Sequence, residues 1–456
     1  MGSLFGSLSI AVGALAAEQG ALQVTTNNTA NINTPGYARQ VAVFEEGIPL
    51  LKSPLVLGSG VVFAQPSSVR DNILELRLHE ETQQQSQFDT EVQQLQQTQT
   101  SFTGSNDVGS QLTNFFNSLN GLAADPSNLS LRQGVLTSAG NLASSFRTTA
   151  SNLQLQRSNI DLNVTQSVTQ VNTITQKIAG LNQQIAALEG VHEDASILVN
   201  ERTQSIRDLS QLVDVRVVPN ETSISLTTAN GTALVASGQS FALTTQLDVS
   251  GTQHVFSQGS DITGKLTAGS LNGLITVRDK TIPGLLNQLD TLAAGLSTTL
   301  NGIHHAGFDL NGAAGGDLFT PPPAGTVGAA SVIQVAITDP KLLAASSDGS
   351  PGSNGNLVAL YNVGGQAVAN GQNPFDSYAS LVFNVGNGVA TAQSEADASA
   401  ATVRQLSDQR NSISGVSLDE EASNLIRYQN AYQAAAKVIT TISELTQTVI
   451  NIIPNQ

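Results

Sequence analysis

Leu425, Tyr428, Tyr432, Ala435, Ile439, Ile442, Thr446, Val449 and Ile453 follow one another at alternating spacings of three and four residues. That period of 3.5 puts an apolar stripe along one side of a helix and asks for a second helix to cover it. The other end of the chain carries the same pattern. Met1, Leu8, Leu15 and Leu22 recur every seven residues, with Leu4 and Ala11 at the intervening seam positions and Glu18 as the polar interruption. Ser417-x-x-Glu420 reads as a capping box that opens the C-terminal helix. Val438, Leu445 and Ile452 widen its apolar face. The spacing therefore predicts two terminal helices that pair with each other, bringing the chain's two ends together. The residues expected to carry this contact are Leu4, Leu8, Leu15 and Leu22, with Leu425, Tyr428, Tyr432, Ile439, Ile442 and Val449.

The N-terminal stripe stops abruptly in "NNTANINTPGY", residues 27–37. Pro35-Gly36 suits a type II turn, whose third position needs positive φ. Residues 37–43 then alternate as a strand does. The asparagines are expected to satisfy helix-end carbonyls and neighbouring chains. Asn28, Asn31, Pro35, Gly36, Tyr37 and Arg39 thus form a candidate hinge between the terminal helix and the body.

Between the termini, residues 71–102 place Leu74, Leu78, Phe88, Val92, Leu95 and Phe102 in seam register. Residues 128–188 hold a heptad from Ile160 through Val164, Ser167, Val171, Ile174, Ile178, Leu181 and Ile185 to Leu188. After Leu212 the period changes to two, and Asn230-Gly231 marks a hairpin. Helical pattern returns over 282–303, followed by a Gly/Pro/Ser-rich stretch that reads as loop. The expected fold is mainly α with a β insert: paired terminal coiled-coil helices, a long-helix bundle domain and a small β-rich outer domain. In chain order the segments are 1–57 (N-terminal part of the inner core with its hinge), 58–212 (bundle), 213–275 (β-rich insert), 276–403 (loop-rich return) and 404–456 (C-terminal core helix).

Composition removes several function classes. A net charge of −16 with no Lys/Arg cluster argues against nucleic acid. Cysteine is absent, which excludes disulfides and thiolate metal sites. No apolar run approaches the ~18 residues of a membrane span. "LSIAVGALAA" looks like a signal-peptide core, but the first basic residue is Arg39, so cleavage is not expected. The five histidines (79, 192, 254, 304, 305) are scattered. Adjacent His304 and His305 point about 100° apart on a helix and fit a surface or junction role better than a ligand pair. Asp309-x-Asn311-Gly312 lacks the closing acid of a calcium loop and reads as a turn. Gly259-x4-Gly264-Lys265 has Leu266 where a phosphate loop needs a hydroxyl. No catalytic constellation, metal site or cofactor site emerges, and no enzymatic activity is expected.

Asn28, Ala30, Asn31, Thr34-Pro35-Gly36-Tyr37 and Arg39 resemble the signature of the flagellar axial proteins, the rod, hook and hook-associated subunits. "VSLDEEASNLIRYQNAYQAAAKVITTISELTQTVIN" (416–451) resembles their C-terminal helix. "GSGVVFAQPSSVRDNILELRL" (58–78), "SLRQGVLTSAGNLASSF", "ITQKIAGLNQQI" and "NGIHHAGFDLNGAAGGDLF" (301–319) narrow the resemblance to hook-associated members at the hook–filament junction. The resemblance implies a secreted, extracellular structural subunit that associates with itself in a ring or helical layer. It also implies hook protein on one side and the next hook-associated junction protein on the other. A cytoplasmic export chaperone at the C-terminal helix and the flagellar type III export apparatus are the further partners implied. In this reading the terminal segments are disordered until the polymer gives each seam a partner, and they fold on assembly. The alternatives are another axial subunit, such as hook or distal rod protein, and a secreted adhesin or enzyme.

Overall fold

The N-terminal apolar stripe forms a continuous helix, α1 (Gly2–Ala30), and the C-terminal heptads form α11 (Leu418–Ile452). The computed structural model describes residues 2–48, 50–52, 55–104, 106–191, 193–220 and 223–452. Met1 and Ile453, the outermost seam positions, and His192 lie outside the described residues. Between the terminal helices run β1 (Gln40–Glu46), β2 (Leu50–Lys52), β3 (Leu55–Leu57), β4 (Val61–Ser68), α2 (Asn72–Thr100), α3 (Val108–Leu122), α4 (Leu129–Gly190) and α5 (Ser196–Leu212). Seven short strands follow: β5 (Arg216–Pro219), β6 (Ile224–Thr227), β7 (Ala233–Ala236), β8 (Gln239–Ser240), β9 (Leu243–Leu247), β10 (Gln253–Ser257) and β11 (Ser260–Asp261). The return consists of α6 (Gly269–Thr276), α7 (Ile282–Ala306), α8 (Ala329–Val332), α9 (Gly355–Asn362) and α10 (Pro374–Ser414).

The chain forms two compact units. The first comprises Met1–Gln83, Gln170–Leu243 and Ser399–Gln456, and the second Gln84–Thr169 and Thr244–Ala398. In the first unit α1 packs along α11 and against an antiparallel β1–β4 ribbon. Two glycines seven residues apart on α1 make that second contact possible. A Cβ at Gly13 would come within 3.2 Å of the Val61 carbonyl oxygen, and one at Gly20 within 2.8 Å of the Phe63 ring. Phe44 then sits between Phe63 (6.4 Å, edge to face) and Tyr428 of α11 (6.3 Å), joining ribbon to helix. The four strands β5–β8 pair in order as a small antiparallel sheet. Its β6–β7 hairpin turns at Gly231 (φ +88°), as the Asn-Gly pair predicts.

In the second unit Phe115 packs on Phe116 (5.3 Å) and Phe319 (6.0 Å), and Phe116 on Phe375 (5.6 Å). Arg132 is buried among carbonyls, donating from Nε to Pro126 (2.6 Å) and from Nη1 to Leu343 (2.6 Å). Strands β9–β11 form a separate three-stranded sheet here. The 213–275 segment thus holds two sheets, divided between the two units at Leu243, and closes on helix α6 rather than strand.

One device recurs where a helix meets a strand or loop. The Asn172 side chain donates to the Leu243 carbonyl (2.8 Å) and accepts from its N–H (2.8 Å). Asn301 does the same to Phe319 at 2.8 and 2.9 Å. A primary amide carries the donor and acceptor of a peptide group, so it completes backbone hydrogen bonding where no strand neighbour exists.

The long helix is unbroken through 62 residues, about 93 Å at 1.5 Å per residue. Six helices went unread in the sequence: α3, α5, α6, α8, α9 and α10. The longest is α10, a 41-residue helix in the stretch expected to be loop. Its buried positions Tyr378, Leu381, Val385, Ala392 and Ala396 keep a helical spacing, but alanine fills the later ones and hydropathy is flat. Of the surface or junction role expected for it, His304 takes the second, because it is wholly buried. Its Nδ1–H donates to the Gly316 carbonyl (2.6 Å) and its Nε2 accepts from the Ala344 N–H (2.9 Å), so it staples two loop segments together in neutral form. His305 is exposed and pairs with Asp317 at 2.9 Å. Asp309 accepts from the N–H groups of Asn311 (2.8 Å) and Ala313 (2.9 Å), the plain turn expected. Gly259–Lys265 lies on a hairpin and a single 3₁₀ turn.

Candidate functional site: the joint between the terminal helices

The paired helices cover each other's seams within one chain. Ala11 and Ile442 are buried. Leu4, Leu8, Leu15 and Leu22 are half-buried, as are Leu425, Tyr428, Tyr432, Ile439 and Val449. The expectation that each seam lacks a partner before assembly is corrected by this pairing: the partner is the chain's own other end. What stays uncovered is the outer face, where Phe5, Ile10 and Val12 of α1 and Ile426, Val438, Leu445 and Ile450 of α11 are exposed. The expectation that no apolar run approaches a membrane span is corrected for α1: by length and mean hydropathy Leu4–Ala30 would suffice to cross one, because small and hydroxyl residues interrupt the run without lowering its mean much.

The two polar seam positions have separate accounts. Burial pushes the Glu18 carboxyl up, and the charge of Arg427 on α11 opposes that shift. Thr446 turns its hydroxyl back to the Ile442 carbonyl of its own helix (2.7 Å).

The candidate hinge centres on Asn28. Its Nδ2 donates to the Gln40 carbonyl (2.8 Å) and to Glu421 Oε1 (3.1 Å), while its Oδ1 accepts from the Gln40 N–H (2.9 Å) and the Tyr37 hydroxyl (2.8 Å). Two donors and two lone pairs are all that a primary amide has, and all four are used. Asn28 therefore pairs with Gln40 as a neighbouring strand would, and its spare donor catches a carboxylate 393 residues further along the chain. Asn31 closes α1: its Nδ2 donates to the Asn27 carbonyl (3.0 Å) and its Oδ1 accepts from Thr34 Oγ1 (3.0 Å). The predicted type II turn is present, with Tyr37 N–H donating to the Thr34 carbonyl (3.2 Å) and Gly36 at φ +78°. Pro35 is exposed and sets the turn's first dihedral. Burial, together with the nearby Glu421 and Asp194 charges, pushes the Tyr37 hydroxyl up to about 12, which keeps it a donor to Asn28.

Arg39 ties the same joint to the α10–α11 turn. Its N–H donates to the Ser414 carbonyl (2.8 Å), and its guanidinium pairs with Glu420. The capping box is consequently one-sided, with only a long 3.5 Å contact from Glu420 N–H to Ser417 Oγ.

Behind the turn lies a polar cluster that the sequence did not announce. Burial alone would raise the Glu75 carboxyl, but Arg410 (2.7 Å) and Arg207 (3.1 Å) hold it below its ordinary value. Arg410 also reaches the Tyr37 carbonyl (3.4 Å), and Arg70 bonds to Asn200 and Thr203. His79, one turn after Glu75, is pushed down to about 4 by burial, with Glu75 opposing the shift. Gln40, Glu421, Glu75 and Arg410 are parts of this joint that periodicity missed. Their one signal was charge scarcity: at 12 % charged residues, each charge near a motif carries weight.

Residues 92–319, half of the chain, match the family described as "Flagellar hook-associated protein FlgK helical domain". Flagellar hook-associated protein 1 of Bacillus subtilis (strain 168) is 30 % identical, over 99 % of both chains. The chain belongs to the flagellar hook-associated protein 1 family. Membership makes it a structural subunit of the bacterial flagellum. The Escherichia coli (strain K12) member of the flagellar hook-associated protein 1 family is 28 % identical over 97 % of this chain and 98 % of its own. The structure of the flagellar hook junction protein FlgK from Burkholderia pseudomallei has the same fold, with a TM-score of 0.68 over 74 % of this chain and 100 % of that one at 17 % identity. Residues 8–37 match "Flagella basal body rod protein" and residues 408–452 match "Flagellar basal body rod FlgEFG protein C-terminal". Those two segments hold the terminal helices and the candidate hinge that meet at Asn28.

Proposed function

We propose that this chain builds the junction between hook and filament by polymerising through its paired terminal helices, without enzymatic activity. The observation that carries the reading is the α1–α11 pair, whose seam is covered while Phe5, Ile10, Val12, Ile426, Val438, Leu445 and Ile450 stay open to solvent. Fully burying one such side chain contributes about 1.5–3 kcal/mol. Ordering the backbone costs about 1–2 kcal/mol per residue. A two-helix pair alone is therefore close to balance, and neighbouring subunits that cover its outer face complete its folding. The hinge of Asn28, Asn31, Pro35, Gly36, Tyr37 and Arg39 fixes the angle at which the body leaves that pair. Hook protein on one side and the next hook-associated junction protein on the other are the partners in this arrangement. The subunit leaves the cell through the flagellar type III export apparatus, with a cytoplasmic chaperone on the C-terminal helix.

The test is a strain lacking the chain, complemented with wild type or with Leu15→Asp. Wild type is expected to restore filaments on hooks. The variant is expected to leave bare hooks and flagellin in the medium. Filaments attached normally by Leu15→Asp overturn the reading.

A further inference from the structure

Asparagine is followed by glycine eight times in this chain. Glycine has no side chain to shield its amide nitrogen, so that nitrogen can attack the preceding carboxamide wherever both groups are free. The fold restrains the eight pairs unequally. Asn120, Asn272, Asn301 and Asn387 lie within α3, α6, α7 and α10, where the N–H of the following glycine is held by the carbonyl four residues back. Gly231 N–H donates to the Thr228 carbonyl (2.9 Å), and Gly312 N–H to the Asp309 carbonyl (3.2 Å). The side chains at those two turns are held as well. Asn230 Oδ1 accepts from Thr232 N–H (3.2 Å) and Oγ1 (2.9 Å), and Asn311 Nδ2 donates to Asp309 Oδ2 (3.2 Å). Asn354 keeps a single tie, from its Nδ2 to the Ala123 carbonyl (2.9 Å).

Asn370 has none of these restraints. It is exposed on a two-residue turn closed by Ala369 and Gln372, with φ +49° at Asn370 and +78° at Gly371. Positive φ at both central residues is the mark of a type I′ turn. The backbone on either side is paired: Val368 and Ala369 N–H donate to the Gln372 carbonyl (2.9 and 3.3 Å), and Gln372 N–H donates to the Ala369 carbonyl (2.8 Å). Among the described residues neither the Asn370 carboxamide nor the Gly371 N–H has a hydrogen-bond partner. Nucleophile and target therefore sit next to each other in water, with no bond to break before they meet.

We propose that Asn370 is a site of spontaneous deamidation, and that the native fold directs this reaction to it. The Gly371 nitrogen gives its proton to solvent base and attacks Asn370 Cγ. The new C–N bond closes a succinimide ring, and the side-chain nitrogen takes up a proton and leaves as ammonia. Water then opens the ring at either carbonyl, giving aspartate or isoaspartate, so one water is consumed for each ammonia released. Isoaspartate routes the main chain through the former side chain, which makes the turn one carbon longer and adds a negative charge. The turn has little room for that. A Cβ at Gly295 of α7 would come within 1.9 Å of the Val368 carbonyl oxygen, so this strand is seated directly on the helix. A lengthened turn cannot keep both that seat and its cross-turn bonds, and the connection leading into α10 loosens as the protein ages.

The test holds full-length protein at mildly alkaline pH, native or in urea, and maps its peptides by mass spectrometry with aspartate and isoaspartate resolved. In native protein, conversion at Asn370 is expected to outpace that at Asn354, which must first give up one hydrogen bond, by roughly tenfold, about 1.4 kcal/mol of barrier. It outpaces the other six pairs by more. In urea the eight rates converge. Hydrogen exchange at the Gln372 amide of native protein rises in step with the isoaspartate fraction, and Asn370→Gly, which keeps the positive φ and removes the carboxamide, abolishes that rise. The proposal is overturned if another Asn-Gly pair of native protein converts as fast as Asn370. It is equally overturned if Asn370 stays intact in native protein while it converts in urea, or if the Gln372 amide is unaffected by isoaspartate.

Discussion

Removing the Asn28 side chain tests the joint most directly. Asn28→Ala deletes four hydrogen bonds at a position that is 1 % exposed. At about 1 kcal/mol net for each bond the loss is about 4 kcal/mol. The buried Glu421 carboxyl also loses its amide donor, so that figure is a lower bound. Two of the bonds go to Gln40 and the others to Tyr37 and Glu421 at the same joint, so the loss falls on local opening of the β1 entry rather than on the whole chain. Native-state hydrogen exchange at the Gln40 amide is therefore expected to accelerate roughly a thousandfold, about 1.4 kcal/mol per decade. Protection within the second compact unit should stay unchanged. Asn28→Asp supplies a control of the same shape: at neutral pH its carboxylate faces Glu421, whose carboxyl burial already pushes up, and protection should return partly on acidification as one carboxyl takes up a proton. An alanine variant with wild-type exchange at Gln40 and normal filament attachment would refute the reasoning.

Three other outcomes follow from the same geometry. Gly36→Ala forces a Cβ onto φ +78° and within 2.8 Å of Gln204 Oε1, so a loss of about 1–2 kcal/mol is expected in urea unfolding, with poorer filament attachment. His79 is neutral when folded, with a value near 4 against about 6.5 unfolded. Its stabilising effect is complete above pH 6.5 and is lost as pH falls towards 4, by up to about 3 kcal/mol. Comparing urea midpoints of wild type and His79→Leu at pH 7.5 and 5 should show a shallower decline in the variant. Arg427→Ala leaves Glu18 half-buried without its opposing charge, so the α1–α11 pair should loosen at neutral pH and recover on acidification, read by proteolysis of residues 2–30.

The seams were legible because leucine, isoleucine and tyrosine filled them at a fixed period, and the structure keeps Ala11, Ile442 and their neighbours at the contact. The Pro35-Gly36 turn and the Asn230-Gly231 hairpin were legible because each needs a particular backbone conformation. α10 was not, because small residues fill much of its buried stripe. The roles of Gly13 and Gly20 were hidden for the same reason: a close approach is marked by what is missing from a side chain. Asn28 could be picked out as part of a motif but not explained, since its partners lie 12 and 393 residues away and have no periodic relation to it. Asn172 and Asn301 show the same blind spot. A side chain that imitates a peptide group leaves no trace in hydropathy.

The reach from Asn28 to Glu421 also sets a timetable. Synthesis reaches Asn28 at a point 393 residues before the carboxylate that completes its bonding. Bringing the ends of so long a loop together costs about 5 kcal/mol in chain entropy beyond a constant. Three of the four bonds, to Tyr37 and Gln40, form locally, and the fourth, which ties the exit of the first helix to the turn before α11, comes only once Glu421 has been made.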